Sequence, residues 1–336
     1  MTFNERSSSG SAATPDPGPP VTVSVLLSRS AATLSLVRSV ETNSGALALY
    51  ADETSSLPEM VIKNVPSWTA THASGLARTL DACRLHSEAV GARPFVATLH
   101  GWGDDPVFIA TGWIEGENLN HRMADELAGL TAATATAKCR DTTTAAAALV
   151  ARFHRAMADS SPDDWGIPPS ASGGIETGMA ARLISALRGS RGIDRSERVR
   201  SIDDPGPHNT ILDANNDLWL IDLPADFQEV MVERDIARLV SRVVGAIHRA
   251  STSRWVPYHP VVDAVIAGYE RDASPSTRRI DRSLVYACLA ADAAVKVALT
   301  RRRLPPGTRL ECFFRESFAA LTLGGRALRL RITRSG

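Results

Sequence analysis

The chain has 336 residues, 44% apolar and 22% charged, enough for one large core or two lobes of a globular protein. Its formal net charge is zero, which argues against a dedicated nucleic-acid binder, and no window approaches eighteen uninterrupted apolar residues, so no membrane span is expected. Four scattered cysteines (Cys83, Cys139, Cys288, Cys312) form no C-x-x-C pair, which argues against a zinc site or disulfide framework and fits reduced thiols in the cytoplasm.

Residues 1–20 are Ser, Gly, Pro and Ala with almost no large apolar groups, and predict a disordered tail that cannot offset its ordering entropy. They also lack the basic-then-apolar order of a signal peptide. From Val21 onward short β-like runs dominate. Leu34–Val40 and Ala46–Ala51 read as strands around the turn Glu41-Thr42-Asn43-Ser44-Gly45, and Glu59–Lys63 reads as the next strand. Ala73–Val90 carries Leu76, Leu80, Cys83 and Leu85 at helical spacing. Phe95–Leu99 and Val107–Trp113 predict a hairpin across Gly101-Trp102-Gly103-Asp104-Asp105.

Beyond Gly112-Trp113-Ile114-Glu115-Gly116 the pattern turns helical. His121–Ala135 and Thr142–Ala158 are Ala-rich helices, the second with an apolar stripe of Leu149, Val150, Phe153 and Met157. Residues 159–200 form a Pro-rich insertion with a short helix near Glu176–Leu187. Val261–Tyr269 and Arg282–Arg302 read as amphipathic helices, and Leu328–Ile332 as a terminal strand or extended tail.

The most informative stretch runs from Asp203 to Asp222. Pro205, Gly206 and Pro207 exclude helix and central strand, so the first half is a polar loop. Thr210–Leu212 and Leu218–Ile221 are short apolar runs across the turn residues Asp213–Asp217, which predicts a tight hairpin. Asp204 and Asn209 precede that hairpin and Asp222 follows it. Two aspartates and an amide gathered at one end of a rigid ribbon suit phosphoryl transfer. One carboxylate would orient a hydroxyl and take its proton, and the amide with the other carboxylate would hold Mg2+ on the phosphates of ATP or GTP.

The D-x-x-x-x-N spacing of Asp204 and Asn209, with Asp222 thirteen residues on, resembles the aminoglycoside phosphotransferase-like family, which includes choline, homoserine and antibiotic kinases. Asp204–Asp213 and Leu220-Ile221-Asp222 carry the likeness, although Ile202 and Asp203 stand where that family has His and Gly. The resemblance implies an α+β, bilobal protein-kinase-like fold. A small, mainly antiparallel β N-lobe with one helix (21–116) would bind nucleotide, and a larger, mainly helical C-lobe (117–336) would hold the catalytic residues and the acceptor. It also implies that Lys63, one of only three lysines among 37 basic residues, clamps the phosphates, with Glu88 (or Asp81) as its helical partner. Without the resemblance, Lys63 is simply a surface lysine ending a strand. By the same likeness Ser44 and Gly45 cover the phosphates, and Trp113 and Ile114 meet the adenine with backbone groups. His154 is expected to be a packed or capping histidine, and Asp235 to brace the catalytic loop.

Competing patterns carry less. Asp213-x-Asn215-x-Asp217 starts like a calcium loop, but Leu218 and Pro224 occupy the positions that need glycine and glutamate. His208 has no second His or Cys at metal spacing. Asp222 to Asp235 is too short for a protein-kinase activation segment. The departures at Ile202 and Asp203 leave a pseudokinase, or non-catalytic nucleotide-binding module, as the alternative. From Ile236 onward eighteen Lys/Arg face seven Asp/Glu, so the small-molecule hydroxyl acceptor (nucleoside, sugar or natural-product/antibiotic type) should be neutral or anionic rather than polycationic.

Overall fold

The computed structural model describes residues 34–42, 45–52, 59–64, 68–104, 107–158, 198–225, 229–252, 255–273, 279–303, 318–319 and 321–330. The tail 1–20, Ser44 and the expected Glu176–Leu187 helix lie outside them.

Five strands build the smaller lobe: β1 (Leu34–Thr42), β2 (Gly45–Asp52), β3 (Met60–Asn64), β4 (Leu99–Asp104) and β5 (Val107–Gly112). They pair antiparallel in the order β1-β2-β3-β5-β4. Side chains alternate across a strand. Met60 and Ile62 therefore share a face with Phe108 and Ala110, where they form a small apolar cluster backed by Tyr50. The other face carries Lys63, opposite Ile109, and Ile109 belongs to the main core. The pleat itself turns Lys63 toward the second lobe.

Between β3 and β4 lies α1 (Ala70–Ala89), opened by a capping box in which the Thr69 hydroxyl accepts from the His72 amide at 3.4 Å. Its Leu76, Leu80 and Cys83 enter the main core, as their spacing predicts. The β4–β5 turn is tighter than the sequence suggests. Trp102 pairs with Ile109 and Gly103 with Phe108, so ladder hydrogen bonds override the turn propensity of those residues.

The larger lobe comprises β6 (Gly116–Asn118), α2 (Leu119–Leu127), α3 (Ala132–Lys138), α4 (Arg140–Ala158), β7 (Arg198–Arg200), β8 (Thr210–Asp213), β9 (Leu218–Leu220), β10 (Glu229–Met231), α5 (Val232–Ala250), α6 (Tyr258–Asp272) and α7 (Arg282–Arg303). The single helix expected over His121–Ala135 is two, because Gly129 takes a left-handed φ of 73° and Thr131 caps α3 by accepting from the Thr134 amide at 3.3 Å. Residues 321–330 are helical, so Leu328 lies on a helix instead of the expected strand or tail.

One apolar core runs through the second lobe. Phe153, Met157, Leu239, Ile247 and Tyr286 are almost wholly buried in it, at about 1.5–3 kcal/mol for an aliphatic or Phe side chain. The architecture is the bilobal α+β one expected: among the described residues, a mainly antiparallel lobe with one helix stands beside a mainly helical lobe. Among the described residues no helix is long and apolar enough to cross a membrane.

Candidate active site

The loop that leads into Asp204 is seated on one buried carboxylate. Asp235, in the first turn of α5, has no exposed surface. It accepts from the Ser201 hydroxyl (2.6 Å), the Ile202 amide (2.8 Å) and His154 Nε2 (3.2 Å), while His154 Nδ1 faces the Tyr269 hydroxyl at 2.9 Å. Burial opposes the charge of Asp235. The hydrogen bond and charge of His154, with those from Ser201 and Ile202, still hold its carboxyl below the usual range. His154 is the packed histidine anticipated and Asp235 the brace.

Ile202 engages that brace through its backbone amide, a contact that asks nothing of its buried apolar side chain. Asp203 adopts φ 64°, the left-handed region that a glycine takes at no cost. Arg238 compensates by donating to both the Asp203 carbonyl and, at 2.7 Å, its carboxylate. We expect Asp203→Ala to lower stability by about 1–2 kcal/mol in urea melts, and Asp203→Gly by less, because glycine relieves the backbone while losing the ion pair.

Asp204 follows, with three donors on its carboxylate. Arg242 grips it with two prongs, Nε to Oδ1 at 2.7 Å and Nη2 to Oδ2 at 2.9 Å, and His208 Nε2 donates to Oδ2 at 3.1 Å. Burial works against its ionisation, but the His208 hydrogen bond and the Arg242 charge pull its pKa below the ordinary value. Gly206 makes this convergence possible. A Cβ there would lie 2.8 Å from the His208 ring and 3.1 Å from Arg242 Cβ.

Asn209 ends the 3₁₀ turn Pro207–Asn209 and donates its Nδ2 to the Asp204 carbonyl at 3.1 Å, which turns Oδ1 to an acceptor role. The Ile221 amide donates to the Asn209 carbonyl at 3.1 Å, so the strand end carrying Asp222 is tied to the loop carrying Asp204 and Asn209. The hairpin turn is closed by Asp213, which accepts from the amides of Asn215 (2.8 Å) and Asp217 (2.9 Å) and from the Trp219 indole (3.0 Å). Its carboxylate belongs to the turn, in keeping with the rejected calcium loop.

Lys63 reaches from β3 to Asp222, Nζ to Oδ1 at 2.6 Å, and lies 5.3 Å from the centre of the Trp68 ring. Lys63 and Asp222 thus meet across the two lobes, and the Ile221–Asn209 backbone bond keeps that strand end beside the loop of Asp204 and Asn209. Glu88 does not join them, and that expectation is corrected. It is exposed in the last turn of α1 and pairs with Arg84 at 2.7 Å, one helical turn away; Asp81 also faces Arg84, at 3.6 Å. The face of α1 turned toward the cleft carries no acid. A Cβ on Gly75 would lie 2.3 Å from the Ala225 carbonyl oxygen, and the Thr79 hydroxyl donates to the Pro224 carbonyl at 3.3 Å. The helix therefore rests on the segment just after Asp222.

Gly45 pairs with Thr42 at the β1–β2 turn. At the interlobe linker the Trp113 amide donates to the Glu59 carbonyl at 2.7 Å, so it closes the sheet and is not available to a base; Ile114 lies half-buried beside it.

Beside Asp204 a cavity of about 170 Å³ is lined by Asp203, Asp204, Arg238, Ser241, Arg242 and Asp292. Sequence reasoning missed Trp68, Arg238 and Arg242. A faint signal existed for the arginines, which lie four residues apart on α5.

No protein-family model and no curated protein matches the chain. Solved structures do. An amicoumacin kinase in complex with AMP-PNP, Ca2+ and Ami is 10% identical, covers 91% of each chain and superposes with a TM-score of 0.55. An ethanolamine kinase of Plasmodium vivax is 9% identical over 87% of this chain and 82% of its own, with a TM-score of 0.49. A choline kinase of Streptococcus pneumoniae is 10% identical over 86% and 94%, with a TM-score of 0.45. The first of these superpositions shows that the chain has a kinase fold.

Proposed function

We propose that the chain is a small-molecule phosphotransferase of the aminoglycoside phosphotransferase-like family, moving the γ-phosphoryl group of ATP or GTP to a hydroxyl. The observation that carries this reading is the 2.6 Å contact between Lys63 and Asp222 across the two lobes, on the ribbon that also holds Asp204 and Asn209. Nothing in a purely structural ion pair requires a lysine from one lobe to meet an acid two residues past a hairpin of the other.

The donor set fits a hard cation. Among the described residues no cluster of three or more His, Cys, Asp or Glu forms a metal cage. Magnesium usually takes only one or two protein oxygens and completes its shell with phosphates and water. Asp222 and Asn209 Oδ1 would be those oxygens. Mg2+, when bound, neutralises charge on the transferring phosphoryl group. Lys63 would exchange Asp222 for the phosphate oxygens, and the Trp113 carbonyl with the Ile114 amide would meet the base. Asp204 orients the acceptor hydroxyl. As the acceptor O–P bond forms and the bond from Pγ to the leaving diphosphate breaks, the hydroxyl proton passes to Asp204 and then to solvent. Three buried free thiols, Cys83, Cys139 and Cys288, support a reducing, cytoplasmic setting.

Lys63→Met tests the phosphate clamp. Loss of charge-assisted hydrogen bonds worth about 1.5–3 kcal/mol is expected to weaken Mg–ATP binding by about 10- to 100-fold in calorimetry. Unchanged affinity would remove Lys63 from the site. One observation favours the second reading, a nucleotide-binding module: both key carboxylates already have cationic partners, Asp204 with Arg242 and Asp222 with Lys63. Thermal stabilisation by Mg–ATP with no phosphate transfer to any hydroxyl compound would select it.

A further inference from the structure

The arginines beside Asp204 are arranged as a stripe. On α5, Arg234, Arg238 and Arg242 follow at intervals of four, so they climb one side of the helix, and Arg249 continues the line two turns on. Their charges are crowded. Burial pulls the Arg234 guanidinium below its ordinary range and the Arg238 charge adds to this; burial and the Arg242 charge do the same at Arg249. The buried Nε of Arg234 has no hydrogen-bond partner among the described residues.

The acids nearby do not absorb this charge equally. Asp203 is matched to Arg238 and Asp204 to Arg242, while Asp292 accepts from the Ser241 hydroxyl at 2.7 Å. Arg242 engages Asp204 through the two-pronged geometry with which a guanidinium also takes a free carboxylate or phosphate. Asp204 is also the residue that a transferable hydroxyl must reach. With Arg242 on both its oxygens and His208 on one, most of its acceptor capacity is spent.

We infer that the acceptor carries an anionic group, a carboxylate or a phosphate, which Arg238 and Arg242 bind in the cavity, and that this exchange releases Asp204 to hold the hydroxyl. The inference rests on the phosphotransferase reading and narrows its acceptor to small hydroxylated anions. The cavity, of about 170 Å³, has room for a small polar group beside Arg238 and Arg242. A substrate anion would take the place of the Asp204 carboxylate on Arg242, so that arginine is not left unpaired, and the released Asp204 keeps its contact with His208.

The test uses the full chain and a series matched in scaffold: gluconate, glucose 6-phosphate, glucose and glucosamine. Binding is read by calorimetry at fixed ionic strength without nucleotide, and Mg–ATP is titrated separately. One or both anions are expected to bind at least about tenfold more tightly than glucose or glucosamine, the equivalent of one charge-assisted hydrogen bond. Arg238→Gln and Arg242→Gln should each remove that preference and leave Mg–ATP affinity unchanged. Because Arg242 also holds Asp204, Arg242→Lys is the second variant; it keeps the charge, loses the fork, and should give an intermediate affinity. Glucose or glucosamine binding as tightly as the anions would overturn the inference. So would an anion preference that survives both Gln substitutions, or failure of all four compounds to bind. Failure of Mg–ATP to bind would instead sink the phosphotransferase reading, and the two results are read independently.

Discussion

Asp204→Asn is expected to reduce phosphoryl transfer by about 100- to 10,000-fold, the contribution of a well-placed proton acceptor, with Mg–ATP binding intact. The substitution keeps the side chain's shape and one acceptor oxygen, but removes the charge that Arg242 grips and the site that takes the hydroxyl proton. Steady-state rates and nucleotide titrations on one preparation separate the two effects. The pH profile adds a second check. In the wild type without acceptor Asp204 is held below its ordinary value of 3.8, so its acid limb in kcat/KM, which reports the free enzyme, belongs below about pH 4, and kcat/KM should not follow this group between pH 5 and 8. A rate within about threefold of wild type in Asp204→Asn is far outside the expected range and would remove Asp204 from its assigned role.

The largest effect on stability is expected at Asp235→Ala. It deletes the acceptor for Ser201, Ile202 and His154 in a site without exposed surface. Removing one partner of a buried charged network costs about 3–5 kcal/mol, because the groups left behind stay desolvated. Chemical denaturation should show that loss; Asp235→Asn, which retains one acceptor oxygen, should lose less. The sign with pH follows from the depressed folded-state pKa. The stability linked to Asp235 is fully present above its unfolded value and is lost as pH falls through the lower folded value, below about 3.8. A wild-type-like midpoint in Asp235→Ala would mean that the loop is seated by other contacts.

How much of this was legible depended on distance along the chain. Asp204, Asn209 and Asp222 flank a single hairpin, so the backbone bond from Ile221 to Asn209 that ties its two ends follows from local turn chemistry. The aim of Lys63 follows from strand alternation. Asp235 was readable only through the family likeness, since nothing local to it names Ser201, Ile202 and His154 as its partners. Glu88 was not, because its choice of partner depends on which side of α1 packs against residues 224–225, and Arg84 one turn away competes for it. Arg242 lies 38 residues from Asp204 in sequence, and nothing local to either one announces their pairing. The left-handed conformation at Asp203 was hidden for another reason: the Arg238 that holds its carbonyl and carboxylate is brought to it across the fold. The split between α2 and α3 turned on Gly129, whose backbone angle outweighs an otherwise continuous helical pattern.

The seat of α1 has a mechanical meaning. With no side chain at Gly75 to act as a cushion, the helix and the Pro224–Ala225 backbone meet as hard surfaces. Close-packed contacts of this kind transmit displacement and do not absorb it. On the proposed function, in which Lys63 exchanges Asp222 for a nucleotide, the aspartate that is released lies only two residues of chain from this contact. By that exchange α1, through Gly75, becomes the first element of the smaller lobe to meet any shift of that segment.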